Sequence, residues 1–175
     1  MAPLNVEIKA RCRQPEFIRN YLKNNGAIFK GVDHQTDTYF NVLRGRLKLR
    51  EGNIENNLIY YERKDEENAK ESRFQLVNIH DAGGLKEALS KAVGVKIVVE
   101  KKREIYFIEN VKFHIDEVSG LGSFAEIEAS NLHWNIAKDE LQSQCNFYMN
   151  EFGIQQKDLI GLSYSDMLLA AVGTA

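Results

Sequence analysis

Carboxylate and basic side chains recur at every second position in two short stretches of this chain. Glu7, Lys9 and Arg11 alternate with small or aliphatic residues near the start, and Glu126 and Glu128 do so later. Successive side chains of a β-strand point to opposite faces, so each stretch would gather its charged groups on one face. Carboxylates are ligands for Mg²⁺ and Mn²⁺, while Lys and Arg pair with phosphate oxygens. The two stretches are therefore candidates for binding a metal ion together with a phosphorylated ligand.

The same alternation continues in four other stretches that also favour strands. Taken singly, each would fit a half-solvated sheet with apolar residues inside and polar residues outside. Taken together, basic residues gather on some strands and acidic residues on others, which a solvated face has no reason to do. We therefore predict that the polar faces look at one another across a barrel interior, where an anionic ligand and a metal would offset their charge. The additional faces carry Arg46, Lys48 and Arg50; Tyr61, Arg63 and Asp65; Lys101 and Arg103; and Lys112, His114 and Asp116.

Strand patterns outnumber helix patterns along the chain, and most neighbouring strands are close enough for hairpins. The expected fold is α+β, with a mainly antiparallel sheet, closed or nearly closed, and helices packed outside it. Apolar periodicity and caps predict helices after Pro15, after Gly84, between Asn135 and Gly153, and after Ser163. Strands are predicted at about residues 4–12, 34–41, 46–51, 57–64, 72–78, 96–108, 111–118 and 124–130.

Composition narrows the class of protein. No linker or repeat interrupts the 175 residues, which favours one domain over residues 1–175. A formal net charge of −2 disfavours a general nucleic-acid binder, and no apolar stretch approaches the ~18 residues of a membrane span. The N-terminus lacks the apolar run of a signal peptide, and Cys12 and Cys145 have neither metal-ligand nor redox spacing. We therefore expect a cytoplasmic protein without nucleic-acid or membrane partners, and a homodimer stays open.

Several ordered motifs over about residues 5–168 resemble one known family. They are Asn5-Val6-Glu7-Ile8-Lys9, where the family has Glu-x-Glu-x-Lys; Asp37-Thr38-Tyr39-Phe40; the segment from Gly45 to Arg50; Lys101-Lys102-Arg103; the segment from His114 to Glu128; and the segment from Leu162 to Leu168. On these motifs the chain resembles the CYTH superfamily, also called the triphosphate tunnel metalloenzymes. The resemblance is strongest to its class IV adenylate cyclase branch.

The resemblance implies an eight-stranded closed β-tunnel in which acids and bases converge on a triphosphate. By position, Glu7, Glu126 and Glu128 resemble the carboxylates that bind Mg²⁺ or Mn²⁺ in the family. The implied catalytic residues are Glu7, Lys9, Asp116, Glu126 and Glu128. The implied phosphate-binding residues are Lys9, Arg11, Lys48, Arg50, Arg63, Lys101 and Arg103.

One position departs from the family signature, because Asn5 stands where the first glutamate is expected. An amide oxygen can coordinate a metal but carries no charge. The departure therefore bears on metal affinity, substrate preference and activity.

The resemblance favours a phosphorus–oxygen lyase of the adenylate cyclase type, which converts ATP to cyclic AMP and pyrophosphate with a divalent metal. A hydrolase that cleaves tripolyphosphate, thiamine triphosphate or a nucleoside triphosphate needs the same charged tunnel and stays an alternative. A non-catalytic module that binds polyphosphate or nucleotide is the third candidate. Asn5 favours this module, whereas the cluster of three glutamates favours an enzyme.

Overall fold

The fold is a closed antiparallel β-barrel with helices, as the strand alternation predicts. The computed structural model describes residues 3–65 and 67–173. The strands are β1 (Leu4–Arg11), β2 (Ile28–Phe40), β3 (Arg46–Glu51), β4 (Asn57–Arg63), β5 (Lys70–Asn78), β6 (Val95–Ile108), β7 (Val111–Val118) and β8 (Gly122–Ser130). The helices are α1 (Pro15–Asn24), α2 (Ala82–Ala92), α3 (Lys138–Glu151) and α4 (Tyr164–Gly173). The eight strands close in the order β1-β5-β4-β3-β2-β6-β7-β8, which confirms the predicted α+β fold with a closed sheet.

Several predicted boundaries differ from the structure. α2 begins at Ala82 and not after Gly84, because Asp81 caps it by accepting a hydrogen bond from the Gly84 amide at 3.0 Å, and β5 begins at Lys70 instead of residue 72. β2 begins at Ile28 instead of near residue 34, because its first residues pair with the end of β6 across an irregularity between Phe29 and Gly31. Gly31 has a φ of 121°, a conformation that favours glycine, and this break interrupts the alternation that would mark a strand. α3 begins at Lys138 and not at Asn135, because the chain is still extended at residue 137, with φ −74° and ψ 152°.

The apolar faces of β1, β7 and β8 form the outside of the barrel wall. Ile8, Phe113 and Ile127 on these faces expose at most 1% of their surface, and they pack in one cluster with Leu22 of α1 and Leu141 of α3. Burying each such side chain stabilises the fold by about 1.5–3 kcal/mol. Because alternate residues point the other way, this packing turns the charged positions of the same strands toward the interior.

The start of α4 closes one end of the barrel interior. Tyr164, its first residue, is buried in a cluster with Val99 and Phe124, whose side chains point inward, and its ring centroid lies 5.0 Å from that of Phe124. Ser163 Oγ accepts a hydrogen bond from the Asp166 amide at 3.1 Å, so the predicted helix cap is present. Among the helices of residues 3–65 and 67–173, none has the length and apolar character needed to cross a bilayer.

Candidate functional site

The barrel encloses a cavity of about 380 Å³, which is within the size range of small-molecule sites. Each of the eight strands contributes lining side chains. The lining includes these residues of the predicted site: Glu7, Lys9, Lys48, Arg50, Arg63, Lys101, Arg103, Glu126 and Glu128. The alternation that the sequence shows on separate strands therefore converges on one interior space.

Two residues of the predicted site lie outside this lining. Arg11 is exposed at the end of β1, where its Nη1 donates to the Leu121 carbonyl oxygen at 3.2 Å. Its guanidinium carbon lies 5.1 Å from the centroid of the Phe124 ring. Asp116 is fully buried and contacts Arg103. The structure thus does not bring Arg11 to the cavity, and the phosphate-binding role of Arg11 and the catalytic role of Asp116 stay predictions.

Asp37 of β2 organises three of the cationic side chains. It is fully buried and accepts two hydrogen bonds from Arg50, from Nε and Nη2, each at 2.9 Å. Lys101 Nζ donates to its Oδ2 at 2.7 Å, and Lys48 Nζ lies 3.1 Å from the same oxygen. Burial alone would raise the pKa of Asp37, but these three cations hold the pKa well below its usual value. Since one carboxylate is shared by three cations, this side of the cavity keeps local positive charge.

A second buried carboxylate, Asp116 of β7, fixes Arg103, which lies two residues from Lys101 on β6. Asp116 Oδ1 and Oδ2 accept from Arg103 Nε and Nη2 at 2.7 and 2.6 Å, and Tyr164 OH donates to Asp116 Oδ2 at 2.7 Å. Arg103 Nη2 also reaches Glu126 Oε1 at 3.3 Å. Burial disfavours the charged guanidinium, but Asp116 and Glu126 raise the pKa of Arg103 well above its usual value. Asp116 therefore positions a cation that faces the cavity.

Glu55, on the loop between β3 and β4, supplies a carboxylate to the same interior. It pairs with Lys112, and its Oε2 accepts from Arg50 Nη1 at 2.9 Å. Asp33 holds the loop in place by accepting hydrogen bonds from the amides of Ile54 and Glu55 at 2.9 and 3.0 Å. Burial would raise the pKa of Glu55, but Lys112 and Arg50 lower it.

Sequence reasoning did not assign Asp37 or Glu55 to the site. Asp37 stands within a motif that carried the resemblance, and it has the same strand parity as Tyr39, which lines the cavity. The shared parity with Tyr39 could have predicted that Asp37 points into the barrel. Glu55 lies in an irregular segment between strands, where alternation gives no signal about direction.

Three glutamates line the wall formed by β1 and β8. Glu7 is the register partner of Glu128, and Lys9 is that of Glu126. Arg63 pairs with Glu7. Burial raises the pKa of Glu128 to about 7; the charge of Lys112 opposes the rise, while Glu7 and Glu126 add to it. Burial is therefore the main reason that Glu128 retains its proton, and the charges of Glu7 and Glu126 add to this effect.

Within residues 3–65 and 67–173, no three His, Cys, Asp or Glu side chains form a preassembled metal-binding cluster. The chemistry of the donor set nevertheless fits a hard divalent cation, since Glu7, Glu126 and Glu128 present carboxylate oxygens to one cavity. Asn5 lies on the same face of β1 and is 7% exposed, and no group of residues 3–65 and 67–173 hydrogen-bonds to its buried Oδ1. The asparagine thus retains an oxygen donor where the family signature has a carboxylate.

Arg63 presents a guanidinium edge to the cavity that no described protein group satisfies. Its Nη1 pairs with Glu7, but its buried Nε and Nη2 have no hydrogen-bond partner within residues 3–65 and 67–173, and the side chain is only 5% exposed. Buried donors without partners are costly, whereas a phosphate could accept both hydrogen bonds of a guanidinium edge. The unsatisfied edge of Arg63 in the cavity lining therefore fits a phosphate group.

His114 lies beside Glu126, and its imidazole is neutral at pH 7. Its Nδ1 is 3.4 Å from Glu126 Oε2, and its buried Nε2 has no hydrogen-bond partner among the described residues. Burial lowers the pKa of His114 to about 4, and the charge of Arg103 contributes to the decrease. A neutral imidazole that orients Glu126 is the role that this geometry supports.

Comparisons with known proteins agree with this arrangement. The sequence model of the CYTH domain family matches residues 3–159. A Methanocaldococcus jannaschii protein, provisionally named an adenylate cyclase, is 27% identical over 94% of this chain and 98% of its own. The solved structure of the PH1012 protein from Pyrococcus horikoshii is 26% identical, with a TM-score of 0.79, and covers 93% of this chain and 98% of its own.

A more distant solved structure shares the fold alone. It is a Hippeastrum protein, provisionally named an adenylyl cyclase and described as having a dominant triphosphatase activity. It has a TM-score of 0.63 at 13% identity, over 98% of this chain and 96% of its own. The family match over most of the sequence, together with the charged barrel interior, shows that the chain belongs to the CYTH domain family.

Proposed function

We propose that this protein is a metal-dependent phosphoryl-transfer enzyme that acts on a triphosphate in its barrel, with ATP cyclisation as the favoured reaction. The observation that carries the proposal is the edge of Arg63, which lines the cavity and whose buried Nε and Nη2 have no partner in the described part of the chain. The grouping of Lys48 and Lys101 on the single carboxylate of Asp37 adds positive charge for further phosphate oxygens. A compact polyanion matches these cations better than a monophosphate does, since they are distributed over several strands.

Different residues of the barrel wall bind the phosphate groups and the metal ion. Arg63, Lys48 and Lys101 bind phosphate oxygens, and Asp37 holds the two lysines in position. Glu7, Glu126 and Glu128 would hold Mg²⁺ or Mn²⁺, and the chemistry supplied there is neutralisation of phosphate charge. Because these side chains are fixed by ion pairs before the ligand arrives, little reorganisation accompanies binding.

In the cyclase reaction, the 3′-hydroxyl oxygen of ATP attacks the α-phosphorus, and the bond from that phosphorus to the bridging oxygen breaks. The products are cyclic AMP and pyrophosphate, and the hydroxyl proton is released. The name of the Methanocaldococcus jannaschii relative supports this reaction. Hydrolysis of the triphosphate is the second candidate, because the cavity is open to solvent where Trp134, a lining residue, is 50% exposed, so water can reach the phosphates.

A product assay distinguishes the candidates. The purified protein is incubated with Mg²⁺ or Mn²⁺ and, separately, with ATP, tripolyphosphate or thiamine triphosphate. Cyclic AMP with pyrophosphate supports cyclisation, whereas orthophosphate without cyclic AMP supports hydrolysis. No turnover of any substrate, with a raised melting temperature in tripolyphosphate, would replace the enzyme by a binding module.

A pair of matched variants ties the activity to the cavity. Glu126→Gln keeps the size of the side chain but removes the charge, so we expect turnover to be lost while the fold is retained. Glu117→Gln makes the same change on an exposed residue of β7 and should leave turnover unchanged. Equal activity in both variants would contradict the role of Glu126.

A further inference from the structure

The outer end of the cavity has a different chemistry from its charged interior. Phe107 at the end of β6 and Leu132 and Trp134 after the end of β8 line this part, which we call the aromatic mouth. Leu132 and Trp134 are 42% and 50% exposed, and Phe107 is half-buried. They line the same cavity as Arg63 and Glu128, so a single ligand could contact both regions.

Strand register places the aromatic mouth at the open end of the barrel. Phe107 pairs with Lys112, and Lys112 pairs with Glu128 on the next strand. The chain then continues from the end of β8 to Trp134. The opposite end is the one where Tyr164 is buried at the start of α4. A ligand that enters from solvent would therefore pass the aromatic mouth before it reaches the inner cations.

The boundary between the two regions is marked by Lys112. Its Nζ lies 5.7 Å from the centroid of the Phe107 ring, and it also pairs with Glu55. This arrangement puts a cation beside an aromatic face at the point where Phe107, Leu132 and Trp134 join a lining that still includes Glu109 and His133. A molecule with a polyanionic part and a planar aromatic part is complementary to this lining, since the anion would lie among the inner cations and the ring at the aromatic mouth.

Exposure alone does not distinguish Trp134 from ordinary surface residues. Phe17 on α1 is 49% exposed, and single exposed aromatic residues are common. The distinguishing observation is the position of Trp134 in the lining of the cavity that also contains the unsatisfied edge of Arg63. Aromatic side chains next to cationic grooves stack on bases in proteins that bind single-stranded nucleic acids, because every base has an aromatic face.

We propose that Trp134 and Phe107 form the subsite for the base of a nucleoside triphosphate, with the triphosphate in the charged interior. This inference rests on the proposed function and narrows it, because inorganic tripolyphosphate has no group for the aromatic mouth. Loss of a base-stacking contact is expected to weaken nucleotide binding about 5- to 150-fold. Binding of tripolyphosphate should be unaffected by the same change.

Trp134 is the one tryptophan of the chain, so intrinsic fluorescence reports on the mouth directly. The protein is titrated with the α,β-methylene analogue of ATP and, separately, with tripolyphosphate, in Mg²⁺ and with correction for nucleotide absorbance. We expect saturable quenching by the nucleotide, little change with tripolyphosphate alone, and reversal of the quenching when tripolyphosphate is added to the nucleotide complex. Reversal would show that both ligands use the same cavity.

Variants then separate this inference from the proposed function. Calorimetry on Trp134→Ala and Phe107→Leu should show the weaker nucleotide binding with unchanged tripolyphosphate binding, and Phe17→Ala serves as the exposed aromatic control. If the wild type binds both ligands and neither mouth variant weakens nucleotide binding, the inference is wrong while the proposed function stands. If the wild type binds neither ligand, the proposed function fails and the inference falls with it.

Discussion

Replacing Glu128 with glutamine should stabilise the ligand-free protein at alkaline pH. Burial and the charges of Glu7 and Glu126 raise the pKa of Glu128 to about 7, against a usual value of 4.5. The folded state therefore holds the proton more tightly than the unfolded state does. Stability from this group is present below about pH 4.5 and is lost as the pH rises toward 7. Glutamine has a similar shape and no charge to lose.

The size of the effect follows from the two pKa values. Their difference, at about 1.36 kcal/mol per pH unit, gives an upper limit of about 3 kcal/mol at pH 8. At pH 5 the same calculation gives a destabilisation by Glu128 of less than about 1 kcal/mol, because its carboxyl is then neutral in the folded protein. Solvent in the cavity screens the charges and reduces both values.

Urea denaturation of the wild type and Glu128→Gln at pH 5 and pH 8 measures this difference. We expect a gain in unfolding free energy for the variant that is larger at pH 8 than at pH 5. Subtracting the wild type at each pH removes the contribution of other groups, including His114, whose lowered pKa of about 4 makes stability rise with pH between about 4 and 6.5. Glu100→Gln, on the exposed face of β6, is the control.

A divalent cation offers an independent check on the same charge cluster. Mg²⁺ should relieve the repulsion around Glu128, so it should stabilise the wild type more than Glu128→Gln at pH 8. A variant that is no more stable than the wild type at pH 8 would refute the raised pKa of the buried Glu128 in the folded protein. Equal stabilisation of both proteins by Mg²⁺ would refute the contribution of Glu128 to a metal site.

Three further changes test other parts of the site. Asp37→Asn removes the buried partner of Arg50, Lys48 and Lys101, so urea denaturation should show a loss of about 3–5 kcal/mol, and an unchanged midpoint would contradict this role. Ser163→Ala removes the acceptor for the Asp166 amide and should cost about 1 kcal/mol in the same assay, whereas no loss would mean that the cap is dispensable. Asn5→Glu should enlarge the rise in melting temperature that Mg²⁺ produces, and an identical Mg²⁺ titration would remove Asn5 from the metal site.

Strand parity predicted most of the fold and much of the site lining. Glu126 and Glu128 alternate with residues of the outer core, so the side that faces the helices fixes the side that faces the cavity. The same physical rule placed Lys101 and Arg103 correctly inside. Periodicity succeeds here because the apolar face of each strand is buried under the helices, which leaves the alternate, charged face toward the cavity.

The rest of the site depends on contacts that strand periodicity does not encode. Whether Arg11 reaches the cavity depends on where β1 ends relative to the barrel interior, and the guanidinium instead contacts Leu121 at the surface. Glu55 enters the interior because Asp33, from another strand, fixes its loop. The aromatic mouth combines Trp134 with Phe107 at the end of β6, which lines the same cavity and is distant in sequence. These features follow from three-dimensional closure of the barrel.

Isothermal titration calorimetry with tripolyphosphate in Mg²⁺ tests most directly whether the barrel interior is a triphosphate site. The charged cavity predicts saturable binding at one site per chain in the wild type and in Arg73→Met, which replaces an exposed arginine of β5. Arg63→Met keeps an apolar side chain of similar length but removes the unsatisfied guanidinium edge, so binding should be strongly weakened. Absence of saturable binding in the wild type, or undiminished binding in Arg63→Met, would contradict a triphosphate site built around Arg63.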